Sequence, residues 1–147
     1  MKLSLVTARV LRVNDSGKEK EKNEQYLILH KNSETPESIA MGRIEGLVDP
    51  ENITSTKLLK GVSVIPDAVG DYFYYICGEL RGVKSGDEDD EDEKEKNLEF
   101  KKFVRANSFK DAYQFITDYL SSDKIGITFE DYEISLISKK NIVDMFK

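Results

Sequence analysis

The chain spells out one order of elements twice, and this constrains its fold more than any other feature of the sequence. Residues 2 to 13 are rich in Leu and Val, contain neither Gly nor Pro, and read as a strand. The turn cluster Asn14-Asp15-Ser16-Gly17 and a charged run over residues 18 to 24 follow, before residues 25 to 30 read as a second strand. A hairpin with a long polar loop is therefore expected. Pro36 suits a first helical position behind Thr35, and Ile39, Ala40, Ile44 and Leu47 fall roughly on one helical face. Gly42 and Gly46 weaken that helix by about 1 kcal/mol each. A third strand is expected within residues 54 to 65, ended by Pro66.

The second half repeats the order. Residues 71 to 83, with Tyr72-Phe73-Tyr74-Tyr75 in sequence, read as a strand, the acidic run as its loop, and residues 98 to 106 as the returning strand. In "NSFKDAYQFITDYLSS", Ser108 and Asp111 fit a capping box, while Phe109, Ala112, Tyr113, Ile116 and Leu120 recur at helical spacing. A last strand is expected in "FEDYEISLIS". Both helices follow the dipeptide Asn-Ser, at Asn32-Ser33 and Asn107-Ser108. The implied fold is α+β: two tandem ββαβ units from an internal duplication, residues 1–70 and 71–147, within one compact domain. A largely antiparallel sheet would carry the helices packed on one side.

A chain of 147 residues buries enough apolar surface to fold without staples. One cysteine, Cys77, excludes an internal disulfide, and one histidine, His30, leaves no His/Cys set for zinc. A reducing, cytoplasmic setting is the expectation. "MKLSLVTARVLRV" has too short an apolar stretch for a membrane span and no small-residue cleavage site. No metal or other cofactor and no membrane partner are expected.

The net charge of −6 is concentrated in one place. Asp87, Glu88, Asp89, Asp90, Glu91, Asp92 and Glu93 are consecutive, and without them the chain would carry +1. The run lacks the Gly and the ligand alternation of a calcium loop, so it reads as a solvated hairpin tip, or as a contact for a basic partner. The rings are also concentrated: of fourteen Phe and Tyr, only Tyr26 lies in the first 70 residues. Alternation along residues 72 to 75 turns two rings to each face of the strand. With Phe100, Lys101, Lys102 and Arg105 on the next strand, Tyr72 and Tyr74 would give a stacking platform for single-stranded nucleic acid, unless both faces are covered.

Catalytic patterns are sparse. His30 in a strand reads as a structural residue and Cys77 as packing, and no phosphate-binding or nucleophile-elbow motif occurs. Ile142, Met145 and Phe146 in the tail "KKNIVDMFK" read either as a docking peptide or as a last strand segment.

The stretches "FYYICGELRGVKSGDE", "FVRANSFKDAYQFI" and "FEDYEISLISKKNIVDMF" resemble an uncharacterised family of Bacteroidetes genomes, phages and mobile elements, domain-of-unknown-function family 4494. The likeness is carried by the second half, with the first half following in element order. It implies a phage or mobile-element setting and transfers no catalytic residues. The combined expectation is a non-enzymatic accessory protein. Its sheet or charged loops would engage a protein partner, with single-stranded nucleic acid as the alternative and self-association through an exposed edge strand as a further expectation.

Overall fold

A computed structural model describes residues 1–84 and 96–147 of the chain. Among the described residues the fold is α+β, with two helices and two mostly antiparallel four-stranded sheets. Two compact units divide it: Met1–Lys60 together with Asn141–Lys147, and Gly61–Lys140.

In the first unit, β1 (Lys2–Val13) and β2 (Glu19–His30) form a hairpin in continuous register from Lys2 opposite His30 to Val13 opposite Glu19. The charged run expected as loop is therefore strand. A short turn replaces the long loop: Asn14 Oδ1 accepts from the Ser16 and Lys18 amides at 3.1 and 2.9 Å, and Gly17 takes φ +78°. Glycine occupies that left-handed position without a Cβ penalty. The polar residues 19 to 23 are all exposed, so the paired hairpin tip is wet on both faces and accommodates a charged run.

Helix α1 (Pro36–Arg43) stops earlier than its apolar pattern suggests. Gly46 then turns left-handed at φ +86°, and this turn lets Leu47 bury alongside Ile44 and Ala40 against Val6, Ala8, Val10, Tyr26 and Ile28. β3 (Ile53–Leu58) returns antiparallel to β1. The fourth strand of this sheet is β8 (Ile142–Phe146), parallel to β2, which completes the order β3-β1-β2-β8.

In the second unit the hairpin is β5 (Tyr72–Val83) with β6 (Lys96–Ala106). Helix α2 (Phe109–Leu120) has the cap that its sequence indicates, since the Ser108 hydroxyl accepts from the Asp111 amide at 3.1 Å. The preceding Asn107 instead caps the start of β5, accepting from the Asp71 amide at 2.9 Å. The matching Asn-Ser in the first half plays neither part: Thr35 precedes α1, and its hydroxyl bonds only Ser38. Ala112, Ile116 and Leu120 bury against Tyr74, Ile76, Leu80, Phe100 and Val104. β7 (Asp131–Lys140) runs antiparallel to β5, and the short β4 (Val62–Val64) runs parallel to β6, giving β4-β6-β5-β7.

The single strand expected over residues 54 to 65 is thus two strands in different sheets. The expected boundaries, 1–70 and 71–147, move accordingly. Residues 61–70 belong with the second unit because β4 pairs with β6, and residues 141–147 with the first because β8 pairs with β2.

Gly78 is where β5 must have no side chain. It lies opposite Phe100, and a Cβ there would sit 2.2 Å from the Glu133 carbonyl oxygen and 2.5 Å from Phe100 Cζ. Next to it, the β5–β7 register shifts by one residue between Cys77 and Gly78, a bulge that leaves Ser135 as the extra residue.

Candidate functional site

The aromatic run of β5 is consumed by the fold on both of its faces. Tyr74 and Phe100 lie in the core beneath α2, at 3% and 5% exposure. On the other face Phe73 is 2% exposed, with the Arg105 guanidinium 4.6 Å from its ring centroid, and Phe103 packs against Tyr75 at 5.2 Å. Lys102 is on the helix side, where its Nζ donates to the Ser63 hydroxyl at 2.6 Å and lies 5.6 Å from the Tyr119 ring centroid. Burial lowers its pKa from the ordinary lysine value, because the charged form loses water that one hydroxyl and a ring only partly replace.

Of the six residues expected to form a stacking platform, Tyr74, Phe100, Lys102 and Arg105 are therefore engaged internally, and Tyr72 and Lys101 remain on the surface. These two face opposite ways. Tyr72 pairs with the core residue Ala106, whereas Lys101 pairs with Cys77 on the side away from the helix. Around Lys101 the field is acidic, since Glu99, Glu79 and Glu133 lie directly opposite one another across β6, β5 and β7. Arg81 bonds Glu133 and approaches Glu79 at 3.9 Å, and Lys101 approaches Glu99 at 3.9 Å. Exposed pairs of this kind contribute little to stability. Their effect is to occupy the cations that a phosphate backbone would need.

An aromatic surface does exist, on the helix-bearing side of the second unit. Tyr72, Phe109 and Tyr113 are 44%, 55% and 52% exposed. Phe109 and Tyr113 are one helical turn apart on α2, so their side chains emerge on one face. Phe109 meets the edge of Tyr74 at 5.3 Å, and Tyr74 shares its strand face with Tyr72 two residues before it. The Lys139 ammonium stands 3.7 Å from the Tyr72 ring centroid, and Lys110 is exposed in the first turn of α2. The helical spacing groups Phe109 and Tyr113 with Ala112, Ile116 and Leu120 and does not separate exposed from buried members. Their neighbours Ala112, Ile116 and Leu120 already supply a complete buried stripe, and that surplus of apolar residues was the available signal.

A separate cleft of about 270 Å3 lies between the β4–β5 connection and the C-terminal half of α2, lined by Ile65, Asp67, Phe115, Tyr119 and Lys124 among others. Asp67 has φ 67° behind Pro66, a turn geometry that aspartate tolerates, and its carboxylate pairs with Lys124 at 3.3 Å.

The first unit holds two polar clusters. Arg12 donates to both carboxylate oxygens of Glu24 at 3.0 and 2.8 Å, to the Tyr26 hydroxyl at 3.0 Å and to the Glu45 carbonyl at 2.9 Å, and the Tyr26 hydroxyl also donates to Glu24. The hydrogen bond from Arg12 holds Glu24 below the usual carboxylate range, and burial pushes Tyr26 up to about 12. Every donor of this cluster points inward to its own hairpin and to the α1 exit, so it acts as a clasp. Ser4 and His30 have the spacing of a nucleophile and its base, with Ser4 Oγ 2.8 Å from His30 Nε2. His30 Nδ1 lies 3.1 Å from the Lys31 carbonyl, which assigns the ring proton to Nδ1 and leaves Nε2 to accept from Ser4. At 1% and 5% exposure the pair is closed to any substrate, and it satisfies two buried polar side chains.

The tail residues are strand. Ile142 is buried at 8% exposure, Met145 pairs opposite Leu27, and Phe146 stacks on Tyr26 at 5.7 Å beneath the Arg43 guanidinium. Of the two readings of the tail, the free docking peptide is replaced by the strand segment. Asp87, Glu88, Asp89, Asp90, Glu91, Asp92 and Glu93 lie outside the described residues. Among the described residues no helix is long and apolar enough to cross a membrane, and no group of His, Cys, Asp or Glu side chains is placed to hold a metal ion.

No curated protein and no solved structure matches the chain. One family model does, over residues 5–147, so the match extends through both halves. The chain belongs to the family described as Domain of unknown function (DUF4494).

Proposed function

We propose that the protein is a non-enzymatic accessory factor that engages a protein partner through the face formed by Tyr72, Phe109, Tyr113, Lys110 and Lys139. The carrying observation is the exposure of three rings beside two lysines on a unit that has already buried Tyr74, Phe100 and Phe103. Aromatic anchors with a charged rim are the composition that protein interfaces favour, and the lysines suit a partner with acidic groups. A phage or mobile element of Bacteroidetes is the proposed setting, supported by the family resemblance alone. Cytoplasmic residence goes with that setting and with the unpaired Cys77. We also infer that the two sheets descend from one duplicated ββαβ unit. Supporting this, both sheets centre on a hairpin, pair the strand after the helix with the hairpin's first strand, and add a short parallel strand beside its second.

Single-stranded nucleic acid is the weaker reading. It requires a continuous track of rings and cations, and Tyr72 and Lys101 face opposite ways. The test is capture from host lysate, with and without nuclease, by the wild-type chain, by Phe109→Ser/Tyr113→Ser, and by a chain with residues 87 to 93 neutralised. A protein retained after nuclease and lost with the double variant is expected. Capture abolished by nuclease, or oligonucleotide binding that falls steeply with salt, would replace this reading with the nucleic-acid one. Capture lost only on neutralising residues 87 to 93 would move the contact to the acidic run.

A further inference from the structure

Strand β7 is ten residues long and stands at the edge of its sheet, with β5 as its neighbour on one side. An edge of this length presents a row of backbone donors and acceptors to any matching strand. Asp131, Glu133, Ser135, Leu136, Lys139 and Lys140 are all exposed, Leu136 at 46%. Charge is distributed unequally along it: the acids Asp131 and Glu133 are at the start, the bases Lys139 and Lys140 at the end, and Ile134, Leu136 and Ile137 between them.

We propose that the protein dimerises by antiparallel pairing of β7 with β7 of a second copy, joining two four-stranded sheets into one of eight strands. The pairing that superposes the strand ends sets Asp131 opposite the second copy's Lys140, Tyr132 opposite its Lys139, Glu133 opposite its Ser138 and Ile134 opposite its Ile137. Each contact occurs twice by symmetry. Opposed residues must lie on the same face of a sheet, and in a regular ten-residue strand this pairing would fail, because residues 131 and 140 would face opposite ways. The bulge at Ser135 removes the conflict. Tyr132, Ile134, Ile137 and Lys139 pair with Leu80, Gly78, Ile76 and Tyr74 on the helix-bearing face. Asp131, Glu133, Leu136, Ser138 and Lys140 pair with Arg81, Glu79, Cys77, Tyr75 and Phe73 on the other. Asp131 and Lys140 therefore share a face, as do Ile134 and Ile137, and as do Tyr132 and Lys139. The Asp131 carboxylate is held at the strand's start by the Tyr132 amide at 2.8 Å. A bulge that elsewhere blunts an edge here makes this edge complementary to itself.

Sedimentation velocity on the full chain tests the pairing, using wild type, Asp131→Lys, Lys140→Glu and an equimolar mixture of the two variants, with far-UV circular dichroism to verify that each is folded. Wild type is expected to be dimeric. Each reversal alters two symmetric charge contacts from attraction to repulsion and is expected to weaken the dimer about thirtyfold. In a mixed pair both contacts attract again. The site of Asp131→Lys on one chain faces the site of Lys140→Glu on the other, and the unaltered Lys140 of the first faces the unaltered Asp131 of the second. Dimers are therefore expected to return to within about threefold of wild-type affinity. A wild-type chain that remains monomeric, a dimer indifferent to both reversals, or a mixture that stays monomeric would each overturn the proposal, as would a β7 edge occupied by another protein in place of a second copy.

Discussion

Replacing Gly78 with alanine adds one methyl group to the middle of β5. That methyl would stand 2.2 Å from the Glu133 carbonyl oxygen on β7 and 2.5 Å from Phe100 Cζ on β6. The ring can yield by rotating, but the carbonyl belongs to backbone pinned by the bulge between Cys77 and Gly78 and can move only if the β5–β7 ladder opens. Inserting a methyl into a packed core costs about 1–3 kcal/mol, and a backbone obstacle places Gly78→Ala at or above the top of that range. With a urea m-value of about 1–3 kcal/mol per molar, a loss of about 3 kcal/mol moves the unfolding midpoint down by at least about 1 M. Phe100→Leu removes the part of the clash due to the ring. Its combination with Gly78→Ala should therefore be less destabilised than the two single losses added together, while remaining well below wild type because the carbonyl stays. Urea titration followed by circular dichroism at 222 nm gives all four midpoints. A Gly78→Ala midpoint within about 0.2 M of wild type, equivalent to less than about 0.5 kcal/mol, would refute the bulged register and with it the facing of β7.

Tyr74→Ala and Phe100→Ala are each expected to lower stability by about 3–5 kcal/mol, and Tyr72→Ala by under about 1 kcal/mol; equal losses in thermal melts would contradict the division into core and surface rings. Glu24 is held below its ordinary value of 4.5, so its stabilising effect is present above that pH and is lost as pH falls through the lower folded value. Glu24→Gln should therefore flatten the acid limb of a stability–pH curve, and an unchanged limb would contradict the clasp. Tyr26, raised to about 12 from 10.0, acts oppositely: its contribution is complete below pH 10, declines as pH rises from 10 to 12, and should be absent from that window in Tyr26→Phe. Deleting residues 142 to 147 removes buried Ile142 and the Phe146–Tyr26 stack, and hydrogen exchange should then quicken at residues 25 to 28 of β2; unchanged protection there would contradict the pairing of β8 with β2.

Helix α2 was legible in the sequence because local signals agreed: a serine cap, an apolar stripe and no interior glycine. The α+β class was legible for the same reason. Residues 18 to 24 misled because a charged run reads as loop wherever no partner strand is visible, and the neighbours that make it strand, from Ala8 to Val13, lie across the hairpin. The unit boundaries were hidden for a related reason. β4 and β8 each pair in parallel with strands far away in sequence, and no local pattern records a long-range pairing. At the site, alternation showed that β5 had rings to spare. Which of them stay exposed depended on α2 covering Tyr74 and Phe100, a matter of tertiary packing. Phe109 and Tyr113 were visible only as apolar residues in excess of a narrow stripe.

The most direct test of the ring–lysine face is a photo-crosslinking residue placed at position 109 in the full chain and irradiated in the host before lysis. A discrete protein adduct that survives nuclease, and that is absent when the same probe is placed at exposed Glu51 in the first unit, is the expected result. Adducts that vanish with nuclease, or that form equally at both positions, would contradict it.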